Sequence, residues 1–343
     1  MNRFNRRDFV KTASMGGLSL GLAGNLQPLF GVNSSEGRKV GIIGLDTSHS
    51  VAFTKALNSA DAGPEFGGYK ISAAFPRGSR DIKSSAERIP GYTEEVKNLG
   101  VEIVNSIEEL LSKVDVVLLE TNDGRLHLEQ ALPVFKSGKR MFIDKPVAAS
   151  LSDTIAIFEA AKHYNVPVFS SSSLRFEQVA QEIAGGSIGK VLGADTYSPA
   201  TIEPTHPDLF WYGVHGVEVL FTLMGPGCKS VSRIYTENTD IVAGLWNDNR
   251  IGTFRGIRSG IYDIGGTAFG EKANLSLGKD HSYNPLLVKI IEFFNTGVVP
   301  VAPAETIEIF AFMAAAEESK FKGGAPVEIE TVMKKAQEEA KKF

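Results

Sequence analysis

A lysine that follows a short apolar run is the residue whose position most suggests chemistry. Lys145 stands two residues after the end of Arg140–Ile143, within the stretch KRMFIDKP. If that run is a central parallel strand, Lys145 lies where open α/β sheets place their ligand crevices. A lysine that is partly desolvated there can have a lowered pKa and exchange a proton with a substrate hydroxyl. The alternative is a surface lysine in a strand–helix loop, and the spacing alone leaves both open.

A second candidate site is the stretch GIIGLDTSHS, which lies between a predicted strand and a predicted helix. A dinucleotide-binding turn of the form G-x-G-x-x-G would need glycines at the places of Gly44, Asp46 and His49, and only Gly44 matches. At about 4 Å and an effective dielectric near 20, the charge of Asp46 would repel a pyrophosphate by on the order of 4 kcal/mol. Alternatively, Asp46, Thr47 or Ser48 caps the helix that follows.

The elements that must position these residues follow from the apolar pattern. Short, near-continuous Val, Ile, Leu and Phe runs alternate with amphipathic segments, as in a parallel sheet covered by helices. The predicted strands are Val40–Ile43, Tyr69–Phe75, Val101–Val104, Val114–Glu120, Arg140–Ile143 and Val166–Ser170. The predicted helices are His49–Ala60, Asp81–Arg88, Ile107–Lys113, His127–Ser137 and Ser152–Tyr164. Ser106 and Ser150, each followed three residues later by an acidic residue, fit capping boxes. The sequence therefore predicts a doubly wound α/β domain.

After about Leu174 the pattern changes to strand-like runs with few helices between them. These runs are Ser230–Tyr235, Thr239–Leu245, Gly252–Ile257 and Asn274–Leu277, followed by helical spacing in Pro285–Asn295 and Glu305–Lys320. Such a pattern indicates a second, α+β domain with a mostly antiparallel sheet. We expect an N-terminal segment 1–35, an α/β domain 36–172 and an α+β domain 173–343.

The N-terminus predicts export. Asn5–Lys11 contains paired arginines before an apolar residue, and Met15–Ala23 is a short, Gly-rich, weakly hydrophobic stretch. That layout is typical of a twin-arginine signal, which would make the export machinery a partner and the protein periplasmic or otherwise exported. Because that pathway moves folded proteins, it favours a tightly bound cofactor. The alternative is a basic tail.

Charge and cysteine content exclude two other classes. The net charge is −4 and no basic block interleaved with aromatic residues occurs, so the sequence gives no reason to expect nucleic acid as a partner. Cys228 is the single cysteine, which excludes an intramolecular disulfide.

Asp144-Lys145-Pro146 resembles the Glu-Lys-Pro signature of the glucose–fructose oxidoreductase and inositol dehydrogenase (Gfo/Idh/MocA) family. Flanking motifs agree: Gly138-Lys139, Thr121-Asn122 with His127, Arg175-Phe176, Ile188–Val191, and Gly213-Val214-His215. The resemblance implies an N-terminal Rossmann domain, a C-terminal antiparallel-sheet domain, a homo-oligomer, and nicotinamide-dependent oxidation or reduction of a sugar or polyol. It gives Lys145 the proton-transfer role and makes His215 its acid/base partner opposite the nicotinamide.

Together, the loop positions and the resemblance predict two sets of binding residues. The predicted cofactor contacts are Gly44, Asp46, Thr47, Ser48, His49, Arg77, Ser79, Arg80, Thr121, Asn122, His127 and Asp144. The predicted substrate contacts are Lys145, Arg175, Trp211, Tyr212 and His215.

The loop after Tyr69–Phe75 bears on the choice between NAD and NADP. No acidic residue stands there to read the ribose, whereas Arg77, Ser79 and Arg80 suit a 2′-phosphate. This slightly favours NADP, with plain loop solvation as the alternative.

The histidine segment departs from the family pattern. Family members often carry an aspartate four residues before the histidine, and here that place is Trp211. Trp211 and Tyr212 either stack on a sugar face or belong to the core. Glu218, one helical turn after His215, could orient the imidazole. Spacing suggests no third ligand for a metal beside this pair, so we predict no metal site. A purely structural His215 also stays open.

Three functions fit these observations. The first is an exported sugar or polyol oxidoreductase. The second is a glycoside-cleaving enzyme that uses a captive NAD for transient oxidation and elimination. The third is a non-catalytic carbohydrate-binding protein that has lost its cofactor, which Asp46 and Trp211 favour.

Overall fold

The computed structural model describes residues 38–278 and 281–342. Six parallel strands form the first sheet, in the order β3-β2-β1-β4-β5-β6. Their bounds are β1 Lys39–Ile43, β2 Lys70–Phe75, β3 Glu102–Ile103, β4 Val116–Leu119, β5 Met141–Ile143 and β6 Val168–Ser170. The strand order reverses between β1 and β4, which is where open sheets of this kind bind ligands. The twin-arginine signal, predicted in residues 1–35, lies outside the described residues.

Six helices accompany this sheet. They are α1 Ser48–Asn58, α2 Lys83–Ala86, α3 Ile89–Asn98, α4 Ile107–Leu111, α5 His127–Lys136 and α6 Leu151–His163. The predicted caps are confirmed, since the Ser106 and Ser150 hydroxyls accept the backbone N–H groups of Glu109 and Asp153, each at 3.0 Å. The prediction missed α3, because its proline and glycine in the first turn suggest a loop, although proline is well tolerated at that position.

The second sheet has seven strands in the order β12-β11-β7-β10-β9-β8-β13. Its strands are β7 Val191–Pro199, β8 Cys228–Tyr235, β9 Thr239–Trp246, β10 Ile251–Ile257, β11 Gly265–Gly270, β12 Asn274–Ser276 and β13 Val327–Glu328. All neighbouring pairs are antiparallel except β7 with β10. The predicted fold class, a parallel Rossmann sheet followed by a mostly antiparallel α+β unit, is confirmed.

The remaining helices are α7 Gln178–Ala184, α8 Asp208–Trp211, α9 Val214–Met224, α10 Asn284–Thr296, α11 Pro303–Phe321 and α12 Ile329–Ala340. No helix in the described ranges is both long and apolar enough to cross a membrane.

One late helix covers the early sheet. The apolar face of α10, including Leu287, Ile290 and Phe293, belongs to the same buried cluster as Val40 and Ile42 of β1. A second cluster joins the other face of the first sheet, through α6, to α11, α12 and the second sheet. The two sheets are thus joined through shared cores, and the segment after β6 meets α9, where Ser172 contacts His215 and Glu218.

Candidate active site

The turn after β1 requires a glycine at position 44. Gly44 follows β1 with φ of +88°, and a Cβ added there would lie 2.4 Å from Thr121 Oγ1 and 2.5 Å from the Thr121 backbone nitrogen. Only glycine therefore permits the loops after β1 and β4 to cross so closely. The first glycine of the predicted dinucleotide turn is present for a steric reason.

Asp46 does not cap α1, so that prediction was wrong. Thr47 is the N-cap residue and no side chain bonds the first-turn N–H groups. The buried Asp46 carboxylate instead accepts hydrogen bonds from Ser79 N at 2.7 Å, Ser79 Oγ at 2.8 Å and Asn122 N at 2.9 Å. Asp46 therefore ties the loops after β2 and β4 to the first turn, and leaves the N-terminus of α1 open.

The loop after β2, predicted to bind the ribose or its 2′-phosphate, has only some of its donors free to bind a cofactor. Ser79 is buried, and both its N–H and its hydroxyl are engaged by Asp46. Arg77 and Arg80 are exposed, and neither guanidinium forms an ion pair with any residue that the structure describes. The two arginines are the charged donors that this loop offers, and Asn122, whose side chain bonds Ser85 at 2.8 Å, is also engaged.

His49 and Asp144 form a buried pair at the carboxyl end of β5. His49 Nδ1 lies 2.9 Å from the Asp144 carboxylate, whose other oxygen accepts the Lys145 backbone N–H at 2.8 Å. Burial raises the pKa of Asp144, but the His49 and Lys145 charges and these hydrogen bonds outweigh it and hold the pKa at about 2. Tyr283 stacks edge-on against His49 at 4.4 Å between ring centroids. Asp144 is thus ionised, and Lys145, itself 8% exposed, follows it in the chain.

Glu120 is a site residue that sequence reasoning missed. It follows β4 directly, and the apolar pattern places it at the end of the predicted strand Val114–Glu120. It is fully buried, and neither carboxylate oxygen has a hydrogen-bond partner among the residues that the structure describes. Burial, and then the charge of Asp144, raise the pKa of Glu120 well above its usual value. One ligand atom each of His49, Glu120 and Asp144 lies within 4.8 Å of the others.

His215 comes to this place from the second half of the chain, on α9. Its Nδ1 lies 2.7 Å from the Ser172 hydroxyl, and Tyr212 packs edge-on at 5.0 Å between ring centroids. Burial lowers the pKa of His215 well below its ordinary value, with the nearby charges of Lys145 and His49 adding to the effect. The imidazole is therefore neutral near pH 7 and can accept a proton.

Among the described residues, the hydrogen bonds of Glu218 do not include one to His215, so Glu218 can orient the imidazole only through another residue. Its carboxylate accepts the Ser172 backbone N–H at 2.8 Å, the Ser171 hydroxyl, and Arg175 Nε at 2.8 Å. Glu218 thus fixes Ser172, and Ser172 holds His215. The positioning is indirect.

Arg175 and Trp211 occupy positions less open than a substrate contact suggests. The Arg175 guanidinium lies between Glu218 and Glu305, 2.7 Å from the latter, and only its Nη2 has no partner. Trp211 is half-buried, with its ring 4.9 Å from that of His206. Tyr212, at 36% exposure beside His215, is the most accessible of the predicted substrate contacts.

His127 and Thr121 lie in the loop that follows β4. Both ring nitrogens of His127 face backbone carbonyls, of Thr121 at 2.6 Å and Val147 at 3.1 Å. Burial lowers the pKa of His127, so the neutral ring donates its one N–H to one of them. His127 therefore joins two loops. The buried hydroxyls of Thr121 and Thr47 have no protein partner, whereas Ser48 is exposed.

The N-terminal domain is similar to a known protein family. Residues 38–172 match the family model GFO_IDH_MocA, described as an oxidoreductase family with an NAD-binding Rossmann fold. The N-terminal domain is thus similar to the NAD-binding domain of that family. This segment contains Gly44, Asp46, Glu120 and Lys145, so most of the site described above belongs to the matched domain.

Two curated relatives match over part of their length. A 1,5-anhydro-D-fructose reductase of Ensifer adhaerens is 31% identical over 129 residues, which are 36% of this chain and 38% of that protein. An uncharacterized oxidoreductase of Streptococcus pneumoniae is 30% identical over 121 residues, 34% of this chain and 32% of that protein. The chain therefore matches about a third of the length of each.

Solved structures match across both sheets. The scyllo-inositol dehydrogenase of Lactobacillus casei, with bound NAD(H) and scyllo-inositol, has a TM-score of 0.69 at 16% identity, covering 86% of this chain and 100% of that one. A probable dehydrogenase of Thermotoga maritima has a TM-score of 0.67 at 19% identity, covering 86% and 99%. At such identities the likeness establishes the two-domain fold.

Proposed function

We propose that this protein is an exported NAD(P)-dependent oxidoreductase that acts on a CH–OH group of a sugar or polyol. The observation that carries the proposal is the convergence of Lys145, after β5 of the Gfo/Idh/MocA-type domain, and His215 of α9. Burial lowers the pKa of His215 most, and the positive charge of Lys145 lowers it further. A lysine and a neutral imidazole at one place form an acid/base pair.

The residues at the carboxyl end of the first sheet fit a dinucleotide. The N-terminus of α1 is uncapped, so its N–H groups are free to bind a phosphate oxygen. The unpartnered hydroxyls of Thr47 and Thr121 lie in the loops that Gly44 brings together. The Asp46 charge is engaged by hydrogen bonds from Ser79 and Asn122, which reduces the repulsion expected from the sequence.

Lys145 and His215 then have distinct roles. A bound nicotinamide would supply hydride transfer to or from the substrate carbon. We assign to Lys145 the proton exchange with the reacting hydroxyl, and to His215 Nε2 a hydrogen bond that orients that hydroxyl, since Nδ1 is held by Ser172. The exposed ring of Tyr212 offers a face for the sugar.

A carbohydrate-binding protein without cofactor is the second candidate, and one observation favours it. Asp46 is fully buried at the pyrophosphate turn, and it engages Ser79 and Asn122, two residues predicted to contact a cofactor. If those contacts cannot open, the turn stays closed to a dinucleotide.

The proposal includes a homo-oligomer formed through the second sheet. Phe269, Ile251 and Leu245 lie in one cross-strand row and are 37%, 58% and 37% exposed, and Ile234 nearby is 70% exposed. Such an apolar face favours association. Ile251→Asp should lower the oligomer's mass in light scattering after size exclusion, and an unchanged mass would argue against this face.

The decisive experiment for the activity is identification of a native cofactor. Denaturing the purified protein and analysing the supernatant by mass spectrometry should yield NAD(H) or NADP(H), and the protein should reduce or oxidise it with members of a sugar and polyol panel. No cofactor, and no binding of either dinucleotide in calorimetric titration, would favour the binding protein.

Export is tested separately. The double variant Arg6→Lys, Arg7→Lys should remain in the cytoplasmic fraction with an unchanged circular dichroism spectrum, because the paired arginines are what the export machinery reads. Periplasmic delivery of that variant at the wild-type level would contradict the twin-arginine proposal.

A further inference from the structure

Three side chains from separate segments meet at the carboxyl ends of β4 and β5. His49 belongs to the first turn of α1, Glu120 follows β4, and Asp144 follows β5. All three are buried, at 5%, 0% and 0% exposure, and one ligand atom from each lies within 4.8 Å of the other two. An imidazole and two carboxylates are ligands that divalent transition metals accept.

Glu120 supplies an independent indication that something binds here. Other buried carboxylates in the described ranges are satisfied: Asp46 accepts three hydrogen bonds, Glu218 accepts three, and Asp240 contacts two arginines. Glu120 is fully buried and both its oxygens lack any partner. A buried carboxylate left unsatisfied is costly, so a missing partner is the economical explanation.

We propose that His49, Glu120 and Asp144 bind one divalent first-row transition-metal ion. Once the ion has displaced the Glu120 proton, two carboxylates and a neutral imidazole carry a charge of about −2, which such an ion neutralises, and carboxylate with imidazole suits zinc, manganese or iron. Metal–ligand bonds near 2.0–2.2 Å place tetrahedral ligands about 3.3–3.6 Å apart. His49 Nδ1 and Asp144 Oδ2, 2.9 Å apart, therefore need to separate slightly, whereas ligand atoms as far apart as 4.8 Å need to approach by about 1 Å. The ion takes the place of the proton that now joins His49 to Asp144.

Three protein ligands leave the ion with an open position. Lys145 is the adjacent polar residue, since its backbone N–H bonds the Asp144 carboxylate at 2.8 Å. A substrate or water oxygen bound there would be polarised by the ion. The site goes beyond the proposed function, because it needs no dinucleotide and can be measured without turnover.

The test uses tag-free, full-length protein stripped with a chelator. Titration calorimetry with Zn²⁺ and with Mn²⁺ should show one strong site per chain, and Co²⁺ should give visible d–d absorption. Glu120→Gln and His49→Gln, two independent variants of similar shape, should each weaken binding by on the order of a hundredfold or more. Circular dichroism shows whether each variant folds.

A matched control comes from the other buried histidine–carboxylate pair. His206 Nε2 lies 3.5 Å from Asp123, with no third ligand near enough to form a cluster among the described residues. His206→Gln should bind metal as the wild type does. Absence of metal binding by the wild type, or wild-type affinity in a folded Glu120→Gln, would overturn the proposal. Loss of binding in His206→Gln alone would assign the metal elsewhere and overturn it equally.

Discussion

Replacing Asp46 by glycine tests the central finding about the first turn. If Asp46 were only a helix cap, Asp46→Gly would lower the free energy of unfolding by a few tenths of a kcal/mol. The structure predicts far more, because the carboxylate accepts hydrogen bonds from Ser79 N, Ser79 Oγ and Asn122 N inside the protein.

The magnitude follows from those three donors. A hydrogen bond to a charged group contributes about 1.5–3 kcal/mol, and a buried donor left without a partner costs about 1–3 kcal/mol. The Ser79 hydroxyl can rotate to another acceptor, so the three contributions do not add fully. We expect Asp46→Gly to lower the free energy of unfolding by about 3–5 kcal/mol, measured by urea denaturation followed by circular dichroism.

Ser48→Gly is the matched control for backbone flexibility. Ser48 lies in the same turn and is exposed, so its replacement should cost no more than about 1 kcal/mol. If Asp46→Gly costs no more than Ser48→Gly, the three hydrogen bonds do not hold the loops together and the reasoning is refuted.

Gly78 provides a second, steric check on the same carboxylate. A Cβ at Gly78 would lie 2.3 Å from Asp46 Oδ2, so Gly78→Ala must displace the carboxylate. In the Asp46→Gly background that obstacle is gone. A double-mutant cycle should therefore give a coupling of about 1–3 kcal/mol, and additive effects would contradict the packing described here.

Three further predictions concern chemistry and access. Lys145→Ala should lower kcat by on the order of 10²–10⁴ while the cofactor Kd changes little, since proton transfer acts in the transition state; normal turnover would remove Lys145 from the proposed role. Arg77→Ala should weaken NADP(H) about 10- to 100-fold in calorimetry, and NAD(H) hardly at all, because only NADP carries the 2′-phosphate; equal losses would argue against that contact. Burial raises the pKa of Cys228 to about 12, so iodoacetamide at pH 8 should label the thiol only after unfolding, as mass spectrometry would show; rapid labelling of native protein would contradict its burial.

The sequence predicted the first sheet well because its signal is local. Buried parallel strands are continuous apolar runs, and each of the six predicted runs overlaps an observed strand. Helix caps were also local, as Ser106 and Ser150 illustrate. Strand β7 was not predicted, because its Gly, Ala, Asp and Ser residues interrupt the alternation of apolar and polar residues that indicates a strand. Its pairing with β10 and β11 stabilises it instead.

The site was predictable only in part. The resemblance predicted Lys145 and His215 as an acid/base pair, and the pairing stays a prediction; in the structure both side chains are buried and the Lys145 charge lowers the pKa of His215. The partners of Asp46 lie 33 and 76 residues away in sequence, so no local pattern reveals that its charge is satisfied. Glu120 was hidden at the end of an apolar strand, although a charged residue directly after a buried strand marks the crevice side of such a sheet.

The packing of α10 on the first sheet has a consequence for how the protein is made. While the ribosome is still adding residues, the face of the sheet that contains Val40 and Ile42 lacks part of its cover, because Leu287, Ile290 and Phe293 are translated only after most of the second sheet. At about 5–20 residues per second, that apolar surface stays open for on the order of ten seconds after the last strand of the first sheet has been synthesised. The nascent Rossmann unit is therefore a substrate for chaperones during that interval, and a gene fragment that stops before α10 would encode an aggregation-prone product instead of a free-standing nucleotide-binding module.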